Sequence, residues 1–365
     1  GWFSVLAPMG ALMFYAVVAG WSLEYLLRAV TGQFQGISAA DAGAAFDSLL
    51  ASPLRMLTWH TLFMAGTIFV VARGLQKGIE PVTTFMMPAL FVMILALAVY
   101  AHVAGAPAEA WRFLFDPDFS KLTAESWLVA LGQALFSVTI GTGALLTYGG
   151  YLGDQDSLVK PAWQIVIADT GIALVAGLAI FPIVFATGLD PGQGPGLMFV
   201  TLPLALGQMP GGYFIAIMLF VTVFFAAFTS ALVMLEPFVG YLEEHVGIRR
   251  GVGATAVGGL IWLMGVAAAL SFNVWGDIRP LGFLPLYEDR NIFGVIEFTV
   301  ANIMLPANAF MLAMFCGWIF HRHVLRDEIG IRSAGGYRLF SFLVRYVAPL
   351  GVGAVLIASL VGTQF

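Results

Sequence analysis

Residues 130–152 read ALGQALFSVTIGTGALLTYGGYL. The stretch is apolar enough for a bilayer, yet its middle carries Ser137, Thr139, Gly141, Thr142 and Gly143. A plain lipid-facing helix avoids such a centre, because interrupted backbone in hydrocarbon strands N–H and C=O groups at a cost of several kcal/mol each. The pattern predicts a helix to about Phe136, irregular backbone over 137–142, and a helix again from Gly143. The first half-helix would then offer free carbonyls to a cation, and the second free N–H groups to an anion, side by side near the bilayer midplane. The pattern alone leaves a second reading open, an unbroken helix whose small residues form a helix–helix seam.

Composition sets the class. Of 365 residues, 60% are hydrophobic and 10% charged, and the mean hydropathy is +0.92. Soluble chains carry about 25% charged residues, so this chain is read as an all-α integral membrane protein. A net charge of −5 gives no reason to expect nucleic acid as a partner. The single cysteine, Cys316, supplies no disulfide framework and is read as an inert thiol.

A membrane helix needs roughly 20 apolar residues. Nine spans are expected, near 3–28, 55–74, 82–103, 126–152, 162–187, 210–240, 253–271, 292–320 and 340–363. The intervening 31–54, 104–125, 188–209 and 272–291 read as long connections. One set of connections holds Arg73, Lys77, Lys160, Arg249, Arg250, Arg322, Arg326, Arg332, Arg338 and Arg345; the other holds Arg28, Arg55, Arg112, Lys121, Arg279 and Arg290. The excess assigns the first set to the cytoplasm. The chain opens on Gly1 almost directly in a span, from which an N-terminal portion beyond this sequence is expected.

Two further polar features lie inside spans. In VFFAAFTSALVMLEP, Thr229 and Ser230 sit together mid-span. Hydroxyls there can bond back to the preceding turn as packing glue, or with the Ala226 carbonyl they can ligate a hard cation such as Na⁺. Asp169, in IVIADTGIALVAG, is an ionisable residue within a helix and points to a cavity or partner; a helix cap near the interface is the alternative. Glu297 is similar, nearer the outer end of its span.

FYAVVAGWSL (14–23), VARGLQKGIEPVTTFMMP (71–88), FLFDPDFSKL (113–122), FVTLPLALGQMPGG (199–212) and FFAAFTSALVMLEP (224–237), with the 130–152 stretch, together resemble the neurotransmitter:sodium symporter family. The resemblance covers nearly the whole chain and looks like bacterial amino-acid transporters. It implies the inverted-repeat leucine-transporter fold, with residues 1–365 as a single transmembrane domain matching family helices 3 to 11 and the family's first two helices absent. It implies a substrate site of Ala11, Tyr15, Phe136, Ser137, Thr139, Thr142, Ser230 and Met234, with Tyr15 bonding the substrate carboxylate and Phe136 as an aromatic lid. Ser137 and Asp169 match the first sodium site. A register gauged on Pro182 would put Ala168 at the second of these positions, whereas AGLAIF downstream and the need for an oxygen ligand favour Asp169. Ala226, Thr229 and Ser230 match the second sodium site, and Glu297 the acidic member of an outer gate. Many relatives carry Asn at the Asp169 position; a carboxylate there brings the negative charge that chloride-dependent relatives obtain from a bound anion. Ala11 and Thr142 are small where some relatives are bulkier, which favours apolar or aromatic amino acids.

The function so implied is sodium-coupled uptake of amino acids across a bacterial inner membrane by alternating access. The expected partners are an amino acid, sodium ions and the lipid bilayer, with a homodimer as a candidate assembly. Na⁺ is the co-transported ion, and no organic cofactor or enzymatic role is expected. A non-transporting homologue and an ion channel of the same fold are the rival readings. The Gly-x-Gly of 141–143 lacks the strand–helix setting of a nucleotide loop.

Overall fold

Apolar residues run all round the long segments rather than along one stripe, the composition of helices that face protein on one side and lipid on the other. The computed structural model describes residues 2–150, 158–189, 191, 194–331 and 333–361. In chain order its helices are α1 (Trp2–Val30), α2 (Ala39–Leu50), α3 (Pro53–Ala72), α4 (Glu80–Ala104), α5 (Pro107–Phe115), α6 (Ala124–Ser137), α7 (Ala144–Gly149), α8 (Val159–Ala186), α9 (Leu202–Gln208), α10 (Gly212–Tyr241), α11 (Arg250–Leu270), α12 (Ile292–Phe298), α13 (Leu305–Met314), α14 (Arg322–Ile329), α15 (Ala334–Phe342) and α16 (Ala348–Val361). Wider π-helical turns at Thr299–Met304 and Leu343–Val347 join α12 to α13 and α15 to α16, and another at Phe315–Ile319 prolongs α13.

Among the described residues, eight stretches are long and apolar enough to cross a membrane: Trp2–Val30, Pro53–Ala72, Leu75–Ala104, Val159–Ala186, Gly212–Val246, Arg250–Leu270, Ile292–Ile319 and Ala334–Val361. Each falls on an expected span. The ninth expected span is divided between α6 and α7. Residues 151–152 and 362–363, the ends of two expected spans, lie outside the described residues.

The connections hold more structure than their composition implied. Residues 188–209, read as a plain connection, contain α9, where Leu202, Leu204, Ala205 and Leu206 are buried. It packs into the main core with Trp21, Tyr25, Phe34, Phe199 and Phe220. Aromatic rings interlock there: Tyr25 meets Phe199 edge-on at 5.0 Å, and Trp21 meets Phe199 at 5.7 Å. The run LPLAL is apolar because it plugs one end of the bundle, although it is too short to span.

Two ion clusters pin the bundle at its ends. Glu24 of α1, buried, accepts from Arg28 Nε at 2.8 Å, from Trp59 Nε1 at 2.5 Å and from Arg55, so one carboxylate ties α1 to α3. At the other end Glu236 of α10 is fully buried and pairs with Arg250 at the head of α11. Arg250 also donates to the Val71 carbonyl of α3 at 2.9 Å and to Glu243 at 3.0 Å. Removing one partner of a buried pair leaves an uncompensated charge. Arg250→Met is therefore expected to destabilise the protein by about 3–5 kcal/mol, read as a lowered melting temperature in detergent. Adding Glu236→Gln to that variant should recover part of the loss; a double variant worse than Arg250→Met alone would remove this account.

Candidate functional site

The break is built by a short set of local choices. Thr123 caps α6, its Oγ1 accepting from Ser126 N at 3.2 Å while Ser126 Oγ accepts from Thr123 N at 3.2 Å. The helix ends at Ser137, and Thr139 adopts the left-handed region with φ 57°. A single 3₁₀ turn over Ile140–Thr142 follows, and Gly143 turns the chain again at φ 70° before α7 begins. A β-branched residue in the left-handed region costs of order 1–3 kcal/mol and persists only where its surroundings demand it. Among the described residues Thr139 is the one non-glycine with positive φ.

Its surroundings are explicit. Thr142 Oγ1 donates to the Thr139 carbonyl at 2.8 Å and accepts from Ala144 N at 3.3 Å, standing in for backbone pairing that the break removes. Asn308 of α13, 2% exposed, donates from Nδ2 to the Gly141 carbonyl at 2.8 Å. Its Oδ1 accepts from Ser4 Oγ of α1 at 3.0 Å. Neither glycine has room for a side chain: a Cβ on Gly141 would strike the Leu305 carbonyl, and one on Gly143 the backbone of Ser4. The break is thus wedged between α1 and α13.

At the end of α6, Ser137 Oγ donates to Asp169 Oδ2 of α8 at 2.5 Å. Asp169 lies about 15 Å along α8 from its start, inside the span rather than at its cap. Two oxygens from two helices meet there, one on a residue whose own carbonyl belongs to a helix C-terminus. Oxygen donors and a carboxylate are what a hard cation takes.

α1 and α10 form a second group. The Tyr15 hydroxyl meets the Ser230 side chain. One turn from each, Ala11 is 2% exposed and Met234 packs against the same cluster of Ala7, Phe14, Val300 and Leu305. Thr229 Oγ1 donates to the Phe225 carbonyl at 2.9 Å and to the Ala226 carbonyl at 3.1 Å, so two of the three oxygens assigned to the second sodium site are bonded to each other. Phe136 and Glu297 come together on a third feature, a cavity of about 170 Å³ that Phe14, Gln133 and Asn302 also line. Among the described residues no hydrogen bond joins Asp169 to Thr229 or Ser230. The Thr142 hydroxyl, expected beside the substrate, is occupied inside the break.

Sequence reasoning passed over Asn302 and Asn308. Their signal was present: two amides inside the eighth span, where an unsatisfied polar group is costly and so marks a partner. Asn308→Ala strands the Gly141 carbonyl and removes the acceptor for Ser4. The expected loss is about 1–3 kcal/mol of stability, measured as a melting-temperature decrease in detergent, with Ser4→Ala costing less. An Asn308→Ala protein as stable as the parent would mean that the amide does not hold the break.

The sequence model of the Sodium:neurotransmitter symporter family matches residues 51–364. An uncharacterised sodium-dependent transporter of Bacillus subtilis, YhdH, is 36% identical over 96% of this chain and 77% of its own length. The human sodium- and chloride-dependent taurine transporter is 24% identical over 78% of this chain and 44% of its own length. Among solved structures, MhsT in complex with L-phenylalanine superposes with a TM-score of 0.88 and 36% identity, over 98% of this chain and 80% of that one. The helices described above therefore have the leucine-transporter arrangement, in a multi-pass membrane protein. With a break in the expected helix, a carboxylate beside it and relatives that cover nearly its whole length, this chain belongs to the sodium:neurotransmitter symporter family.

Proposed function

We propose that residues 1–365 act as one transmembrane domain of a symporter that uses sodium to drive apolar or aromatic amino acids into the cell across a bacterial inner membrane. The observation that carries this reading is the convergence of Ser137, at the C-terminal end of α6, on the Asp169 carboxylate. The negative end of the α6 dipole, a hydroxyl and a carboxylate favour a cation, while the positive end of the α7 dipole favours an anion. An amino acid carries its carboxylate to that junction, so the ion and the substrate attract each other as well as the protein.

Tyr15 supplies a phenol as donor to the substrate carboxylate, and its ring serves as an apolar wall. Ala11 leaves room for the side chain, and Met234 adapts to its shape. Phe136 closes the site from the outer cavity, with Glu297 on the rim of that cavity. Ala226, Thr229 and Ser230 hold a second sodium ion through one carbonyl and two hydroxyls. The ligand of MhsT, L-phenylalanine, supports the choice of an aromatic substrate. The domain rocks between outward and inward openings around a fixed midplane site. Each net positive charge carried inward gains about 2.3 kcal/mol per 100 mV of membrane potential.

A thermal-shift screen of the purified protein against the common amino acids, in sodium and in potassium, tests this. Aromatic and large apolar amino acids are expected to raise the melting temperature in sodium alone; equal shifts in potassium would defeat sodium coupling. Asp169 makes the site independent of chloride because the protein supplies the counter-charge. Asp169→Asn is expected to raise the sodium concentration for half-maximal binding roughly tenfold or more, the scale of a lost charged hydrogen bond. Chloride should restore part of that loss and leave the parent unaffected, which titrations in chloride and gluconate salts would read.

A further inference from the structure

At the face that the Lys/Arg bias assigns to the cytoplasm, two π-helical turns lie against each other. Phe315–Ile319 ends the α12–α13 span, and Leu343–Val347 sits inside the α15–α16 span. Gly317 lets them touch: a Cβ there would stand 3.1 Å from Arg345 Cα. The two turns are cross-linked by polar groups. Arg345 Nε donates to the Gly317 carbonyl at 2.5 Å, and Trp318 Nε1 donates to the Arg345 carbonyl at 3.1 Å. Arg345 also lies over the Trp318 ring, 5.3 Å from its centre.

Beside this junction is a cleft of about 310 Å³, lined by Leu325, Tyr337, Arg338, Ser341, Arg345 and Tyr346 among others. Its charge is one-sided. Among the described residues no carboxylate pairs with Arg338 or Arg345, and the two Nη groups of Arg345 make no hydrogen bond, although this side chain is half-buried. With Nε on the Gly317 carbonyl, the Nη edge of this guanidinium faces outward as a fork that suits two oxygens of one phosphate. Around the cleft, Trp318, Phe342 and Tyr346 are exposed, with Trp318 and Tyr346 edge-to-face at 5.8 Å. Exposed aromatic rings at a span end sit at the headgroup level of a membrane. A soluble anion would have no use for that apolar rim.

We propose that this cleft is a binding site for the phosphate headgroup of an anionic phospholipid, held by Arg345 and Arg338 with its acyl chains along Trp318, Phe342 and Tyr346. The site differs in place and chemistry from the transport site, and it stands whether or not the substrate reading holds. Basic pockets between membrane helices recognise anionic headgroups by the same chemistry.

The test is a titration of the purified protein, in neutral detergent, with short-chain phosphatidylglycerol, short-chain phosphatidylcholine and inorganic phosphate, read by melting temperature. Phosphatidylglycerol is expected to stabilise at lower concentration than the other two. Arg338→Gln and Arg345→Gln should each raise its half-point about fivefold, the scale of one basic residue near an anionic lipid. Arg73→Gln, a cytoplasmic charge far from the cleft in sequence, should leave it unchanged. If Arg345→Gln does not fold, Arg338→Gln decides alone, since Arg338 is exposed. Equal half-points for the two lipids, a matching effect of inorganic phosphate, an unchanged half-point in Arg338→Gln, or an equal rise in Arg73→Gln would each overturn the proposal.

Discussion

A membrane helix can be broken only where protein replaces the hydrogen bonds that water would otherwise supply. That constraint organises this structure. The break at residues 138–143 frees backbone groups that hydrocarbon cannot satisfy. The chain answers with Thr142 inside the break and Asn308 from across it, on the Thr139 and Gly141 carbonyls. The glycines at 141 and 143 follow from the same demand, because groups can be satisfied at this range only when backbones come within contact of Leu305 and Ser4. Beside the break, Ser137 at the C-terminal end of α6 donates to the Asp169 carboxylate of α8.

The rest of the bundle keeps that place rigid. Helices in lipid gain little from hydrophobic exclusion, so packing, small residues and polar ties must hold them together. Glu24 and Glu236 provide ties at opposite ends of the α1–α3 and α10–α11 contacts, each reached by an arginine from a neighbouring element. Between them α1 and α10 pack along their length, which brings Tyr15 to Ser230 and Ala11 to the cluster that Met234 joins. The aromatic core of Trp21, Tyr25, Phe199 and Phe220 then closes one end, with α9 inserted as a plug.

Much of this was legible in the residues. Hydropathy gave the spans because a bilayer demands unbroken apolar length, and the break announced itself because Ser, Thr and Gly have no ordinary reason to gather at a span centre. The break, expected over 137–142, lies one residue later: Ser137 closes α6 and Gly143 precedes α7. Asp169 was legible because a carboxylate in lipid needs a partner, and Ser137 is that partner. An amide inside the eighth span marked Asn308 as needing a partner, but not which one, because that partner is a backbone carbonyl 167 positions away. The plug α9 was missed for another reason: LPLAL is too short for a span, so length set it aside as a connection although its burial is complete. The role of Thr142 lies between these cases. Its hydroxyl bonds within the break, to the Thr139 carbonyl and from Ala144 N, which a sequence does not show.

The geometry of the break also limits how the two half-helices can move. Thr139 and Gly143 are its two left-handed residues, and they flank a 3₁₀ turn that Asn308 and Leu305 hold against α13. Movement of α7 relative to α13 therefore passes through Gly143, which tolerates a wide range of backbone angles. Movement of α6 passes through Thr139, which does not. The two turns are therefore unequal: glycine carries no Cβ penalty at the positive φ of 143, while Thr139 is β-branched at its positive φ and the helix before it is bonded to α8 through Ser137 and Asp169. The restricted turn is the one that follows Ser137, the partner of the Asp169 carboxylate.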